Sequence, residues 1–219
     1  DAAFFNMCRP LELVFANGMD KGVQVGIQTG DVTKMNTFNE FYDAYKKQME
    51  YCISLMVNAD NAIDVAHAER CPLPFLASMV DDCLTRGLTA EQGGAVYNFT
   101  GPQGFGIANM ADSLYAIRKL VYEDKKVSME TYKEALAWNY DKGLDEKSVA
   151  DMSEMILKGM QDAGMTVNED TAKAVLQTVM RLKPSDEQIQ KFTELHDMID
   201  EVPKFGNAID DVDYFARDV

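Results

Sequence analysis

The strongest constraint on the fold is an unbroken helical pattern from Thr37 to about Arg70. Phe38, Phe41, Tyr45, Met49, Cys52, Met56, Ala59 and Ile63 recur three or four residues apart, which aligns them on one side of a helix. Pro72 ends the pattern, because a proline pushes the residue before it out of the helical region. A helix of this length implies a scaffold on which shorter elements pack.

The elements around it are shorter. Phe4, Met7, Leu11 and Val14 have helical spacing, Pro10 starts or kinks that helix, and Asn17-Gly18 stops it. The glycine- and threonine-rich stretch that follows reads as loop, with a short strand at Val23 to Ile27. "PLPFLASMVDDCLTRGL" reads as one further helix ending at Gly87. "AVYNF" has the β-branched and aromatic character of a short buried strand, and a helix with Met110, Leu114, Ile117 and Val121 on one face comes after it. Beyond Val127 the composition turns helical: Met129 to Tyr140, Val149 to Met160, Thr171 to Leu182 and Ser185 to Ile199. Ser185 and Gln188 have the spacing of a capping box, and "VPKFGNAIDDVD" turns into one last helix.

Charge and cysteine usage restrict function. Lys and Arg number 21 against 36 Asp and Glu, a net charge of −15. With no basic patch, the chain would repel nucleic acid and anionic membrane surfaces. Cys8, Cys52, Cys71 and Cys83 lack CxxC spacing, so they read as reduced thiols rather than a disulfide framework or a zinc site. No signal peptide or membrane-length apolar run is present, which gives the expectation of a cytoplasmic protein. The chain opens on Asp1 inside an apolar pattern and stops in mid-helix at "YFARDV", as expected for a piece of something larger or for lost ends.

Five glycines crowd into residues 93–106 just before a helix, where a phosphate could bind. The order Gly101, Gly104, Gly106 matches neither a dinucleotide fingerprint nor a P-loop, no lysine follows, and Pro102 removes an amide donor. A tight strand-to-helix connection in which backbone passes close to another chain segment fits better, with Asn109 capping the helix and Asp112 favouring its positive end. Asp60, Asp64, His67 and Cys71 share a helix face, but they span roughly 16 Å, too long for one ion. They read as a polar stripe, and no metal site is expected. The 14 methionines read as gap-filling core. The two histidines, His67 and His196, are too few and too far apart in sequence to complete a catalytic triad.

Four stretches carry a family likeness: "DAAFFN", "ERCPLPFLASMVDDC", "GGAVYNFTGPQGFGIANMADSLYAIRKLVYED" and "VPKFGNAIDDVDYFARDV". They resemble an internal section of the glycyl radical enzymes of the pyruvate formate-lyase-like superfamily, in the branch of the glycerol and propanediol dehydratases. The resemblance covers Asp1 to about Val127 and about Ile199 to the end. It implies an α/β fold: a mostly helical segment, with few short strands, of a ten-stranded α/β barrel. Residues 1–127 would belong to the barrel, 128–200 to a helical region including a variable insert, and 201–219 to the barrel again.

The resemblance also implies the chemistry. A glycine in an Arg-Val-x-Gly-Tyr motif stores a radical that a cysteine in a Gly-Cys-Val-Glu motif takes up as thiyl. The thiyl abstracts a substrate hydrogen, and the adjacent glutamate handles a proton as a leaving group departs. Neither motif occurs in this chain, so no catalytic residue is expected in it and the chain alone is expected to be inactive. Asp1 matches the aspartate that accepts a hydrogen bond from a substrate hydroxyl, and an ionised carboxylate suits that role because it only accepts. Implied partners are a small-molecule substrate, an S-adenosylmethionine iron–sulfur activating enzyme that installs the glycyl radical, and a second subunit in a homodimer. The setting would be an anaerobic cytoplasm, with a bacterial microcompartment as one location. Gly104 and Asn109 depart from the diol dehydratases, leaving a C–S lyase of a sulfonate such as isethionate as an alternative. A non-catalytic helical interaction module is the alternative from another class.

Overall fold

The computed structural model describes residues 3–138, 146–181 and 184–219. Asp1 lies outside them, as do the expected helix ends at Tyr140 and Leu182. Helices dominate, and two small sheets join segments that are distant or adjacent in sequence.

Strand β1 (Phe4–Asn6) leads into α1 (Arg9–Phe15), which has Pro10 in its first turn. The helical spacing of Phe4 and Met7 was therefore misleading. Pro10 is tolerated only in a first turn, so the helix cannot extend back to Phe4, and residues 4–6 are free to pair as a strand. Strands β2 (Met19–Asp20) and β3 (Val23–Gln24) form a two-residue-per-strand antiparallel hairpin, shorter than the strand expected to reach Ile27.

Helix α2 runs Phe38–Arg70. The Thr37 hydroxyl accepts from the Glu40 amide at 3.3 Å, satisfying one of the amides left bare at a helix start, and the Glu40 carboxylate accepts from the Asn36 amide at 2.7 Å, tying the entering chain to the first turn. The expected single helix after Pro72 is instead two single-turn pieces, α3 (Pro74–Ala77) and α4 (Cys83–Arg86). Asp82 interrupts it at φ +76°, a left-handed conformation that Asp tolerates, and its carboxylate binds Arg86 Nε at 2.5 Å.

Strand β4 is Gln103–Phe105, inside the glycine segment, and "AVYNF" forms no strand. Aromatic and β-branched composition marks residues meant for burial, and says nothing of whether a strand edge is free to pair. Helix α5 (Ile107–Ile117) starts a turn earlier than an Asn109 cap would give, because Gly106 holds the cap position at φ +81°. Asn109 lies inside the helix, where its carbonyl accepts from Ser113 Oγ. Residues 118–123 continue as a π-helical turn, closed by an i+5 bond from the Asp124 amide to the Lys119 carbonyl at 2.8 Å.

Helices α6 (Met129–Ala137), α7 (Glu146–Asp162), α8 (Glu169–Arg181), α9 (Asp186–Glu201) and α10 (Asp210–Asp218) follow. The Ser185–Gln188 capping box is formed in both directions. Helices α7 and α8 pack chiefly on each other, and the Lys21–Asp151 ion pair at 2.8 Å ties α7 to the turn between β2 and β3.

One core joins most elements. Val14, Phe41, Tyr45, Met110, Leu114, Ile117, Tyr132, Phe192, Leu195 and Val212 meet there from α1, α2, α5, α6, α9 and α10. Each large side chain buried in this way stabilises by about 1.5–3 kcal/mol, so α6 and α9 are integral to the body that carries β1 and β4. Helix α10 is locked on α5 by Tyr115 Oη donating to Asp211 at 2.5 Å and by Arg118 over the Phe215 ring at 5.4 Å.

Candidate functional site

The parallel pair β1–β4 is the structural centre of the segment that follows Asp1. Phe4, Phe5 and Asn6 face Gln103, Gly104 and Phe105 in register. The Gln103 amide donates to the Ala3 carbonyl at 2.9 Å, and the Met7 amide to the Phe105 carbonyl at 3.0 Å. Both ends of the strand are therefore fixed, and the chain next to Asp1 is anchored at Ala3.

Two glycines permit this pairing. A Cβ on Gly104 would lie 3.3 Å from Met7 Sδ, and one on Gly106 would lie 3.3 Å from Cys8 Sγ and 3.6 Å from Asn6 Oδ1. Upstream, a Cβ on Gly94 would come within van der Waals overlap of the Leu88 carbonyl. The reading of the glycine segment as a close-packed connection holds at Gly94, Gly104 and Gly106 and not at Gly93 or Gly101, where an added Cβ would meet nothing within 4 Å, and the strand the segment delivers is β4 rather than "AVYNF".

The turn out of β1 is polar and closed. Asn6 Oδ1 accepts from the Cys8 amide at 3.0 Å, and Cys8 Sγ donates to the Gly106 carbonyl at 3.6 Å. Burial, and then the Glu12 charge, push the Cys8 thiol up, which keeps it protonated as that donor. Tyr45 Oη donates to the Met7 carbonyl at 3.3 Å, and burial first, then Tyr42 and Cys8, hold its phenol well above the usual range. Beside it lies a cavity of about 350 Å³ walled by Phe5, Met7, Tyr42, Tyr45, Met49 and Pro102. A wider groove of about 790 Å³ runs between α1, α5 and α6. Several of its polar groups are already engaged: Lys133 faces Asp31 at 3.6 Å, Lys204 binds the Val202 carbonyl at 2.7 Å, and Asp112 accepts from the Phe205 amide at 2.7 Å. That last bond, rather than a helix-end interaction, is the role the structure gives Asp112.

The polar stripe on α2 resolves into separate tasks. Asp60 is buried, Asp64 accepts from Thr100 Oγ1 at 2.6 Å, and the His67 carbonyl accepts from the Cys71 amide. Among the described residues no group of three or more possible metal ligands converges. His67 and His196 sit on α2 and α9, and His196 faces Asp200 at 3.5 Å. Among the described residues the arrangement supplies strand geometry and closed hydrogen bonds from Ala3 to Cys8, and no acid–base set is brought together there.

Two positioning contacts escaped sequence reasoning. The first is the Thr100–Asp64 bond, which ties the glycine segment to α2. The second is Gln48, fully buried, whose Nε2 donates to the Ile27 carbonyl at 2.5 Å while its Oε1 accepts from the Ile27 amide at 3.2 Å. Its signal was visible: Phe41, Tyr45, Gln48 and Cys52 follow helical spacing, and a glutamine inside an apolar stripe needs a buried partner.

The fold and site thus define a mostly helical α/β segment with few short strands. The chain matches the family described as pyruvate formate lyase-like over residues 2–219. It belongs to that family, and its relatives are glycyl radical enzymes. A solved structure concerned with 1,2-propanediol dehydration in Roseburia inulinivorans shares 53% identity and a TM-score of 0.90, covering 98% of this chain and 26% of that one. The glycerol-bound B12-independent glycerol dehydratase from Clostridium butyricum shares 37% identity with a TM-score of 0.67, covering 98% of this chain and 21% of that one. Trans-4-hydroxy-L-proline dehydratase of Clostridioides difficile is 36% identical over 63% of this chain and 18% of its own length. The chain therefore spans about a quarter or less of these relatives.

Proposed function

We propose that this chain is an internal section of a glycyl radical dehydratase that eliminates water from a small 1,2-diol. The observation that carries this reading is the likeness to the 1,2-propanediol structure: 53% identity and a TM-score of 0.90, against 37% and 0.67 for the glycerol dehydratase. Residues 1–127 and 201–219 would then belong to the barrel, and 128–200 to a helical region including an insert. The radical glycine, the thiyl cysteine and its glutamate would lie elsewhere in the longer polypeptide, since neither of their motifs occurs here. A partner activating enzyme would install the radical.

The part left to this chain is substrate binding. Asp1 would accept a hydrogen bond from a substrate hydroxyl, its backbone held two residues away by the Ala3–Gln103 bond. The β1–β4 pair and the Tyr45–Met7 bond would keep that backbone from drifting, and small displacements at such a site are costly to rate. The test uses the full-length activated enzyme. Asp1→Asn should raise KM for 1,2-propanediol and lower kcat/KM by about ten- to a hundredfold, the loss of one charge-assisted hydrogen bond. Unchanged kcat/KM would remove Asp1 from the site. Reading the flanks for Gly-Cys-Val-Glu upstream and Arg-Val-x-Gly-Tyr downstream tests the enzyme class itself, and the absence of both would overturn it.

A further inference from the structure

The distal half of α2 behaves unlike its first half. Phe41, Ala44, Tyr45 and Gln48 are buried in the core, whereas Ile53, Leu55, Val57, Ile63 and Val65 are exposed. At about 100° per residue these five positions point to about 0°, 200°, 40°, 280° and 120° around the axis. Exposed apolar side chains thus stand on several sides of this half, interleaved with polar ones such as Asn58, Asn61 and Glu69. A helix on a protein surface gathers its apolar residues into one stripe facing the core, so this scatter is not that of a helix with a solvated outer face.

The surface continues onto the segment tied to this helix by Thr100–Asp64 and Gln92–Ala68. Phe75, Tyr97 and Phe99 are 80%, 78% and 82% exposed, and the last two stack at 6.3 Å. Aromatic side chains carry about 150–250 Å² each, so these three alone leave on the order of 500 Å² bare. The largest apolar patch on a typical monomer is about 300–600 Å² in total. The five aliphatic residues of α2 add to that area.

We infer that the distal half of α2 and residues 73–107 are interior, covered by segments of the same polypeptide that lie outside residues 1–219. The length of chain available supports that occupant over a second copy, because the most similar solved chain described above is about four times as long and holds this fold at a TM-score of 0.90. Cover from within one polypeptide also suits apolar residues that stand on several sides of the helix, since a dimer contact reaches one face only. The inference rests on the reading of this chain as an internal section, but not on the diol as substrate.

Cys71 is a native reporter, exposed here at the end of α2 beside this surface, while Cys83 is buried. Full-length protein is treated with a maleimide, and labelling is mapped by peptide mass spectrometry at protein concentrations spanning dimer and monomer. The expected result is that Cys71 labels about a hundredfold or more slowly than in denatured protein, as slowly as Cys83, at every concentration. Fast labelling of Cys71 in native protein would overturn the inference. So would protection that disappears on dilution to monomer, since that assigns the cover to a second copy. A second reporter, Val65→Cys, is read in the same way and stands on a different side of the helix. Protection in a polypeptide that lacks the radical motifs would leave this inference standing while the proposed function fell. Activity with an unprotected Cys71 would do the reverse.

Discussion

Replacing Gly106 by alanine tests whether the β1–β4 pair is held as described. Gly106 sits at φ +81°, where an L-residue with a Cβ pays about 1–2 kcal/mol. The added Cβ would stand 3.3 Å from Cys8 Sγ, close enough that the sulfur must shift and its bond to the Gly106 carbonyl must loosen. Together the expected cost is about 1–3 kcal/mol, or a fall of about 5- to 150-fold in local protection at 1.4 kcal/mol per tenfold. Hydrogen exchange reads it locally, at the Met7 amide bonded to Phe105 and the Met110 amide bonded to Gly106. Gly106→Asn carries the same Cβ but tolerates the left-handed region, so it should cost less than alanine. Gly101→Ala is the control: its added Cβ meets nothing within 4 Å, and protection should stay level or rise by up to about fivefold rather than fall. Equal protection in Gly106→Ala and wild type, or equal losses for Gly101→Ala and Gly106→Ala, would refute the reasoning.

Gln48→Leu should destabilise by about 1–3 kcal/mol, because it leaves the amide and carbonyl of Ile27 without their partner, and limited proteolysis between residues 17 and 31 should quicken. Proteolysis of that stretch at the wild-type rate would contradict the clamp. Burial, and then the hydrogen bond to Asp211, raise the Tyr115 phenol to about 12. A group whose folded pKa is raised contributes stability that is fully present below its unfolded value near 10 and is lost as pH rises through about 12. Unfolding midpoints should therefore fall between about pH 10 and 12, and Tyr115→Phe should flatten that fall. A slope unaffected by the substitution would assign the loss to other groups.

How much was legible follows from where the information sits. Helix α2 was readable to within a residue, because Thr37, Pro72 and the apolar spacing lie within or beside the element itself. The Ser185–Gln188 box was local in the same way. Strands β1 and β4 were not readable: each is three residues long, too short for alternation to register, and each exists only because the other, 99 residues away, pairs with it. The break at Asp82 escaped because the apolar pattern of residues 73–88 carries through a turn that only a backbone angle reveals. The site stands differently. Nothing in the composition or spacing points to Asp1, and the role proposed for it rests only on the likeness of "DAAFFN" to the glycyl radical enzymes. Asn109 failed as a cap because a glycine at positive φ, one turn earlier, took the position that an Asx side chain would otherwise fill.

The most direct measurement is product formation by the full-length polypeptide after its glycyl radical has been installed and confirmed by electron paramagnetic resonance. Incubated with 1,2-propanediol, it should release propanal and water, with isethionate giving no sulfite. Sulfite from isethionate, or a full radical signal with no propanal, would contradict the account.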